Sequence, residues 1–213
     1  MKVIRYLKMT EHELEVQLRQ TRLRGHGQPL VYEHCGISID EATLIDPVLV
    51  PPQRYVLSGT VRDILALHEQ FKRRGEDIFR LRGALFFWLE GMDISTVLPI
   101  PLLPPIAEES YEKDGKCVML VNDGMHRVVS AHRIGDRVNT IFITGVPREY
   151  PYYAYGFQGG WANVVEFEEL PDVFEKKDYR DPTNYKALFR DFNAVFPGVQ
   201  KTRKQSNPAH IKA

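Results

Sequence analysis

Five consecutive residues, Asp123-Gly124-Met125-His126-Arg127, concentrate side chains of use for chemistry. They follow an apolar run, CVMLV, and open the segment HRVVSAHRIG, so the pattern predicts a strand handing over to a helix at this point. The chemistry favoured there is anion binding. The first backbone N–H groups of a helix have no partner inside the helix and point outward. Gly124 allows a tight turn and a close approach of a ligand to the backbone. Arg127 can grip phosphate oxygens with its planar fork, and His126 can donate from a ring nitrogen. Asp123 adds a carboxylate able to hold a divalent cation or to orient a hydroxyl. The plain alternative is that Asp123 caps the helix and Arg127 pairs with a surface carboxylate.

Other groups divide the same way. His132 falls beside Val128 and Val129, which predicts a satisfied core or boundary histidine. Ser130 and Arg133 fall on the His126 side of the helix, where a solvated face explains them equally well. Glu108 and Glu109 are alternative carboxylates, expected in a solvated loop ahead of the KDG turn. Tyr152, Tyr153, Tyr155, Phe157 and Trp161 can stack on a base or sugar, or simply pack a small second lobe. The end of the chain, VQKTRKQSNPAHIKA, carries Lys201, Arg203, Lys204 and Lys212 with no acid, as a basic arm or a site element. Cys35 and Cys117, the only cysteines, lack any CxxC spacing, and a reduced compartment is the default expectation.

The elements that must position these groups are partly legible. KVIRYL reads as a short strand, and Thr10 with Glu13 has capping-box spacing for a helix ending near Gly25. LVYEH and PVLVP read as short strands. Thr60 and Asp63 suggest a second capping box, opening a helix that Gly75 ends. Asp77 is expected to cap another helix, IFRLRGALFFWLEG, buried under a sheet. The proline-rich MDISTVLPIPLLPPIAEES is excluded as a long central strand. Residues 117–121 and 138–143 read as strands around a helix at 125–134, and another helix is expected at 183–195. The strand–helix–strand unit indicates an α/β or α+β core. One domain, 1–213, is expected, with a phosphate-binding core at about 96–145 and an aromatic, basic extension at 146–213.

Composition sets the outer limits. The 213 residues are 43% hydrophobic and 26% charged, ordinary values for a globular protein with a real core. Lys plus Arg and Asp plus Glu both number 28, so a protein that only coats nucleic acid is disfavoured, although a local basic site is compatible. The N-terminus turns charged too early for a signal peptide, and no apolar run reaches membrane-spanning length, so a cytoplasmic protein without membrane partners is expected.

The stretch CVMLVNDGMHRVVSAHRIGDRVNTIFI resembles the ParB/sulfiredoxin-like superfamily, whose members bind nucleotide phosphates with a short motif at a helix start. The resemblance implies an α+β mixed-sheet core with flanking helices. Sulfiredoxins use a motif cysteine as nucleophile; Met125 stands there, which argues against that activity. The initial Asp123 resembles the branch that phosphorylates free serine. His68-Glu69-Gln70 is similar to that branch's catalytic element, and Gln200-Lys201-Thr202-Arg203 to its substrate-facing segment. The resemblance therefore implies a kinase using ATP or ADP with Mg²⁺ on a small hydroxyl acceptor. Asp123 and Glu69 would be catalytic, Asp123 the metal ligand, Gly124, Met125, His126 and Arg127 the nucleotide cradle, and Lys201, Thr202 and Arg203 the acceptor contacts. The alternative is a ParB-like nucleotide-binding module or a DNA-associated modification enzyme.

Overall fold

The computed structural model describes residues 2–44 and 49–198. Lys201, Thr202 and Arg203 lie outside them. The fold is α+β, with a mixed sheet at its centre and helices on its flanks. Five strands form that sheet: β2 (Gly36–Ala42), β3 (Leu49–Val50), β7 (Ile106–Tyr111), β8 (Cys117–Asp123) and β9 (Val138–Thr144), in the order β2-β9-β7-β8-β3. β7 and β8 make an antiparallel hairpin, closed by a turn in which Gly115 has φ +82°. β9 runs parallel to β7 and antiparallel to β2, while β3 runs parallel to β8.

A smaller antiparallel sheet joins β1 (Val3–Met9), β5 (Ala84–Leu89) and β6 (Ile100–Leu102). A third, parallel pairing ties β4 (Tyr55–Leu57) to β10 (Val165–Phe167). The helices are α1 (Glu11–Arg19), α2 (Ser58–Lys72), α3 (Met125–Arg133) and the four-residue α4 (Phe192–Val195).

Alternation along the strands splits the apolar core between the two faces of the central sheet. Ala107 of β7 and Val121 of β8 face a cluster completed by Val61, Leu67 and Phe71 of α2 and Met125, Val128 and Ala131 of α3. Ile106 of β7 and Ile141 and Ile143 of β9 face the other cluster, completed by Leu14 and Leu18 of α1, Tyr32, Leu188 and Phe196. Residues late in the chain therefore close the second core.

The strand–helix–strand unit around residue 124 forms as expected, and so does the Thr10–Glu13 capping box of α1. α1 stops at Arg19 rather than near Gly25. The second helix starts at Ser58, with no side-chain cap, so Thr60 lies inside it. The expected helix over 78–91 is instead a turn followed by β5. The segment is apolar on all sides because β5 is covered on both faces, and periodicity alone does not separate that case from a buried helix. Gly83 also runs against the Met9 backbone, where a Cβ would collide with the carbonyl. Asp77 accepts from the Phe79 N–H in a turn instead of capping a helix. LVYEH forms bends and turns, and the strand follows it at β2. The 183–195 segment shortens to a 3-10 turn at Tyr185–Leu188 and α4.

The prolines at 99–105 do stay out of central strand positions, since β6 is a three-residue edge strand. The carboxylates after them do not sit in a loop. Ile106–Tyr111 is the middle strand of the main sheet, and it carries Glu108 into the interior.

Candidate site at the start of α3

β8 delivers Asn122 and Asp123 at its carboxyl end, and Gly124 turns the chain into α3 with φ +90°. That left-handed conformation suits glycine. Space makes the same demand, because a Cβ on Gly124 would sit 2.6 Å from Arg127 Nη2 and 2.8 Å from the Pro105 Cα. No side chain caps α3, so its outward-facing N–H groups depend on other partners.

Arg127 folds back over the turn. Its Nη2 donates to Asp123 Oδ2 at 2.6 Å, while its Nε is buried without a hydrogen-bond partner. The pair is partly open to solvent, with 13% of the Arg127 and 40% of the Asp123 side chain exposed. The ion pair is thus made within the motif.

His126 has a different occupation. Its Nε2 accepts the Leu57 backbone N–H at 3.0 Å, joining the start of α3 to the start of α2. An imidazole accepting at Nε2 is neutral and carries its proton on Nδ1. Burial lowers its pKa, the neighbouring Arg127 adds to that, and Asp123 works against it. His126 therefore helps hold the turn in shape and has one donor left. Met125 packs its side chain into the core, which leaves its backbone for the turn. Ser130 is buried and donates to the His126 carbonyl. His132, expected near the core, is exposed.

Glu69 is not gathered to the turn. It is exposed and lies three turns along α2 from Ser58, roughly 16 Å at 1.5 Å per residue, while the α2–α3 contact through His126 is at the start of α2. Its neighbour His68 is buried and stacks on Phe79 with ring centroids 4.6 Å apart.

Beside the turn opens a polar cleft of about 90 Å³, with Arg24, Asn122, Asp123, Tyr153, Phe189 and Asn193 among its walls. Beneath it lies a charged network that the sequence did not disclose. Arg190 grips Glu108 with two bonds, Nη2 to Oε1 at 2.7 Å and Nε to Oε2 at 3.1 Å. Its remaining donors go to the carbonyls of Tyr150, Pro151 and Leu188. A guanidinium has five N–H donors, and all are used. Glu108 Oε2 also accepts from the Tyr32 hydroxyl and from Asn122 Nδ2, the latter at 2.8 Å. Burial, reinforced by the Glu108 charge, raises the Tyr32 pKa well above its ordinary value. Asn122 Nδ2 reaches the Tyr32 oxygen as well, at 2.9 Å. With its NH₂ turned inward, the amide directs its oxygen away from the network.

Tyr152 and Tyr153 of the aromatic stretch pack rather than standing open. Tyr152 is fully buried, and Tyr153 lies against Tyr152, Tyr179 and Phe189. Both cysteines are free, and burial pushes the Cys35 thiol up to about 11, away from nucleophilic use.

A family model described as the ParB CE domain matches residues 13–165. None of the curated proteins and none of the solved structures compared with the chain matches it. The match corrects the kinase expectation, since it points to a ParB domain and not to the serine-phosphorylating branch. Among the described residues, no group of three or more His, Cys, Asp and Glu side chains is placed to hold a metal ion. The phosphotransferase reading, with its small hydroxyl acceptor, therefore falls. No helix of the described residues is long and apolar enough to cross a membrane.

Proposed function

Because the chain belongs to the ParB CE domain family, we propose that it is a nucleic-acid-associated, ParB-like module whose Asp123–Arg127 turn takes a phosphate group of a nucleotide. One observation carries the reading. Arg127 is folded over an uncapped helix start with a buried Nε–H that has no acceptor. An unmet buried donor costs about 1–3 kcal/mol, and a phosphate oxygen brought to this guanidinium would offset part of that cost. The helix start adds backbone N–H groups and the positive end of its dipole. Gly124 lets the Arg127 guanidinium lie against its backbone, and the amides of Gly124, Met125 and His126 form the cradle. The basic residues Lys201 and Arg203, with Thr202, support a nucleic-acid partner, which a chain of zero net charge must recognise locally.

Titration calorimetry with the four nucleoside triphosphates, with and without Mg²⁺, tests the phosphate site. Fluorescence anisotropy with a short labelled duplex tests the nucleic-acid partner. Arg127→Ala should cost about 1.5–3 kcal/mol of nucleotide binding, the worth of a charge-assisted hydrogen bond. Equal affinity in the folded variant defeats the assignment.

A further inference from the structure

A second cavity, of about 380 Å³, lies along the flank of α3 that carries Val129 and His132. Leu44, Val56 of β4, and Trp161 and Val164 of the segment leading to β10 add apolar walls, and His132 and Glu166 stand among its lining residues as polar groups. Trp161, Val164 and Val129 pack on the main core, so the cavity floor is continuous with it. The Trp161 Nε1–H donates to the Leu49 carbonyl at 2.6 Å, which fixes the indole as a wall and leaves its ring to the cavity.

The wall formed by residues 161–168 is a strap. Its ladder to β4 spans three residue pairs. Beyond that it is fastened by Arg62–Glu168 at 2.7 Å, by Arg133–Glu166, and by the Ser58 hydroxyl donating to the Phe167 carbonyl at 3.2 Å. Both ion pairs are on the surface, where such a pair contributes about 0–1 kcal/mol and is weakened by salt. Residues 165–168 of the strap can therefore yield to an entering molecule while Trp161, held to β3, keeps its place.

We propose that this cavity is a binding site for a small, uncharged aromatic molecule bearing one hydroxyl or N–H group. The volume is within the usual range for small-molecule sites, about 300–1,000 Å³, and the lining has the usual character: apolar and aromatic with few polar groups. The strap limits its extent, so a compact molecule fits it better than a helix or an added strand. The polar groups set the headgroup. Glu166 is an acceptor, and its charge is balanced by Arg133, so a neutral donor is matched and an anion is opposed. The cavity borders the phosphate turn, since Val56 precedes Leu57 and Val129 lies one turn beyond His126, but its own lining, and not the phosphate reading, selects its ligand.

The test uses the full chain with 2-naphthol as probe, followed through valine and alanine methyl resonances. Saturable shifts are expected at Val56, Val129, Ala162 and Val164. Val129→Trp fills the cavity from α3, and Ala162→Phe fills it from the exposed strap, where a larger side chain puts folding at less risk. Each should weaken binding by at least about tenfold, as should replacing the probe by naphthalene-2-carboxylate. Absence of saturable binding, unchanged affinity in the folded cavity-filling variants, or shifts centred elsewhere each overturn the proposal.

Discussion

Two arginine–carboxylate pairs flank the polar cleft, and they are built to opposite rules. Arg190–Glu108 is completely buried, and every donor of its guanidinium is matched. Arg127–Asp123 is half open, and its guanidinium keeps a donor with no acceptor. The chemistry of the two pairs is the same. What separates them is the state of the remaining hydrogen bonds. A satisfied network has nothing left to offer a ligand and serves rigidity, whereas the unmatched donor at the helix start is where a ligand can still be gained.

The sharpest way to break this contrast is Arg190→Ala. It should leave Glu108 charged, buried and unpaired, at a cost of about 3–5 kcal/mol, read from the urea midpoint. An unchanged midpoint would show that the network is not the structural member of the two. Replacing both partners, Arg190→Met with Glu108→Leu, should recover only part of the loss: the unpaired charge is gone, but Tyr32, Asn122 and the carbonyls of Tyr150, Pro151 and Leu188 lose these bonds.

Gly124→Ala should act next most strongly. The left-handed φ costs about 1–2 kcal/mol for a residue with a Cβ, and the new methyl meets the Arg127 guanidinium. Loss of nucleotide binding should therefore accompany a modest loss of stability; full retention of both would remove the close approach from the account.

Asp123→Asn sharpens the contrast in the other direction. Removing the carboxylate releases Arg127 and takes away a negative charge beside the phosphate. Nucleotide affinity should rise by a few-fold, on the order of the 0–1 kcal/mol that an exposed pair is worth. A fall in affinity in calorimetry would make Asp123 a ligand contact instead of a holder of Arg127.

The smallest expected effect is a pH dependence through His126. Its folded pKa lies below the ordinary value near 6.5, so the unfolded chain binds the proton more readily. Its contribution to stability is complete above that value and is lost as pH falls from about 6.5 toward the lower folded pKa. Protonation also removes the acceptor for the Leu57 N–H. A His126→Gln variant should show a flatter stability profile between pH 7 and 5, followed by thermal melting.

The sequence made the strand–turn–helix legible because every cue there agrees: an apolar run, a glycine, then helical spacing up to Gly135. It made β5 illegible because ALFFWL has no polar face, and burial on both sides erases the periodicity that tells strand from helix. The residues of the turn are contiguous, so the sequence itself set them side by side. The network beneath the turn was not legible. Tyr32, the β7–β8 hairpin carrying Glu108 and Asn122, and Arg190 come from three distant segments, and Glu108 reads as a surface residue until a partner 82 positions later neutralises it. Charged residues point inward only when paired, and pairing across such a separation leaves no local pattern. Even the family resemblance was legible only coarsely. The motif placed the superfamily, while the kinase branch rested on the initial Asp123, on His68-Glu69-Gln70 in a helix that leads away from the turn, and on residues 200–203, outside the described residues.

That 82-position separation also bears on how the chain reaches its native state. A carboxylate at the centre of the main sheet cannot be buried cheaply until Arg190 arrives, 82 positions after it. Contacts so far apart in sequence form only after a long loop has closed, and they slow folding. The second face of the sheet should therefore consolidate last. During synthesis, the emerging chain should keep Ile106, Ile141 and Ile143 incompletely covered until the segment carrying Leu188, Arg190 and Phe196 has emerged, which makes that interval one of exposure to aggregation and to chaperones.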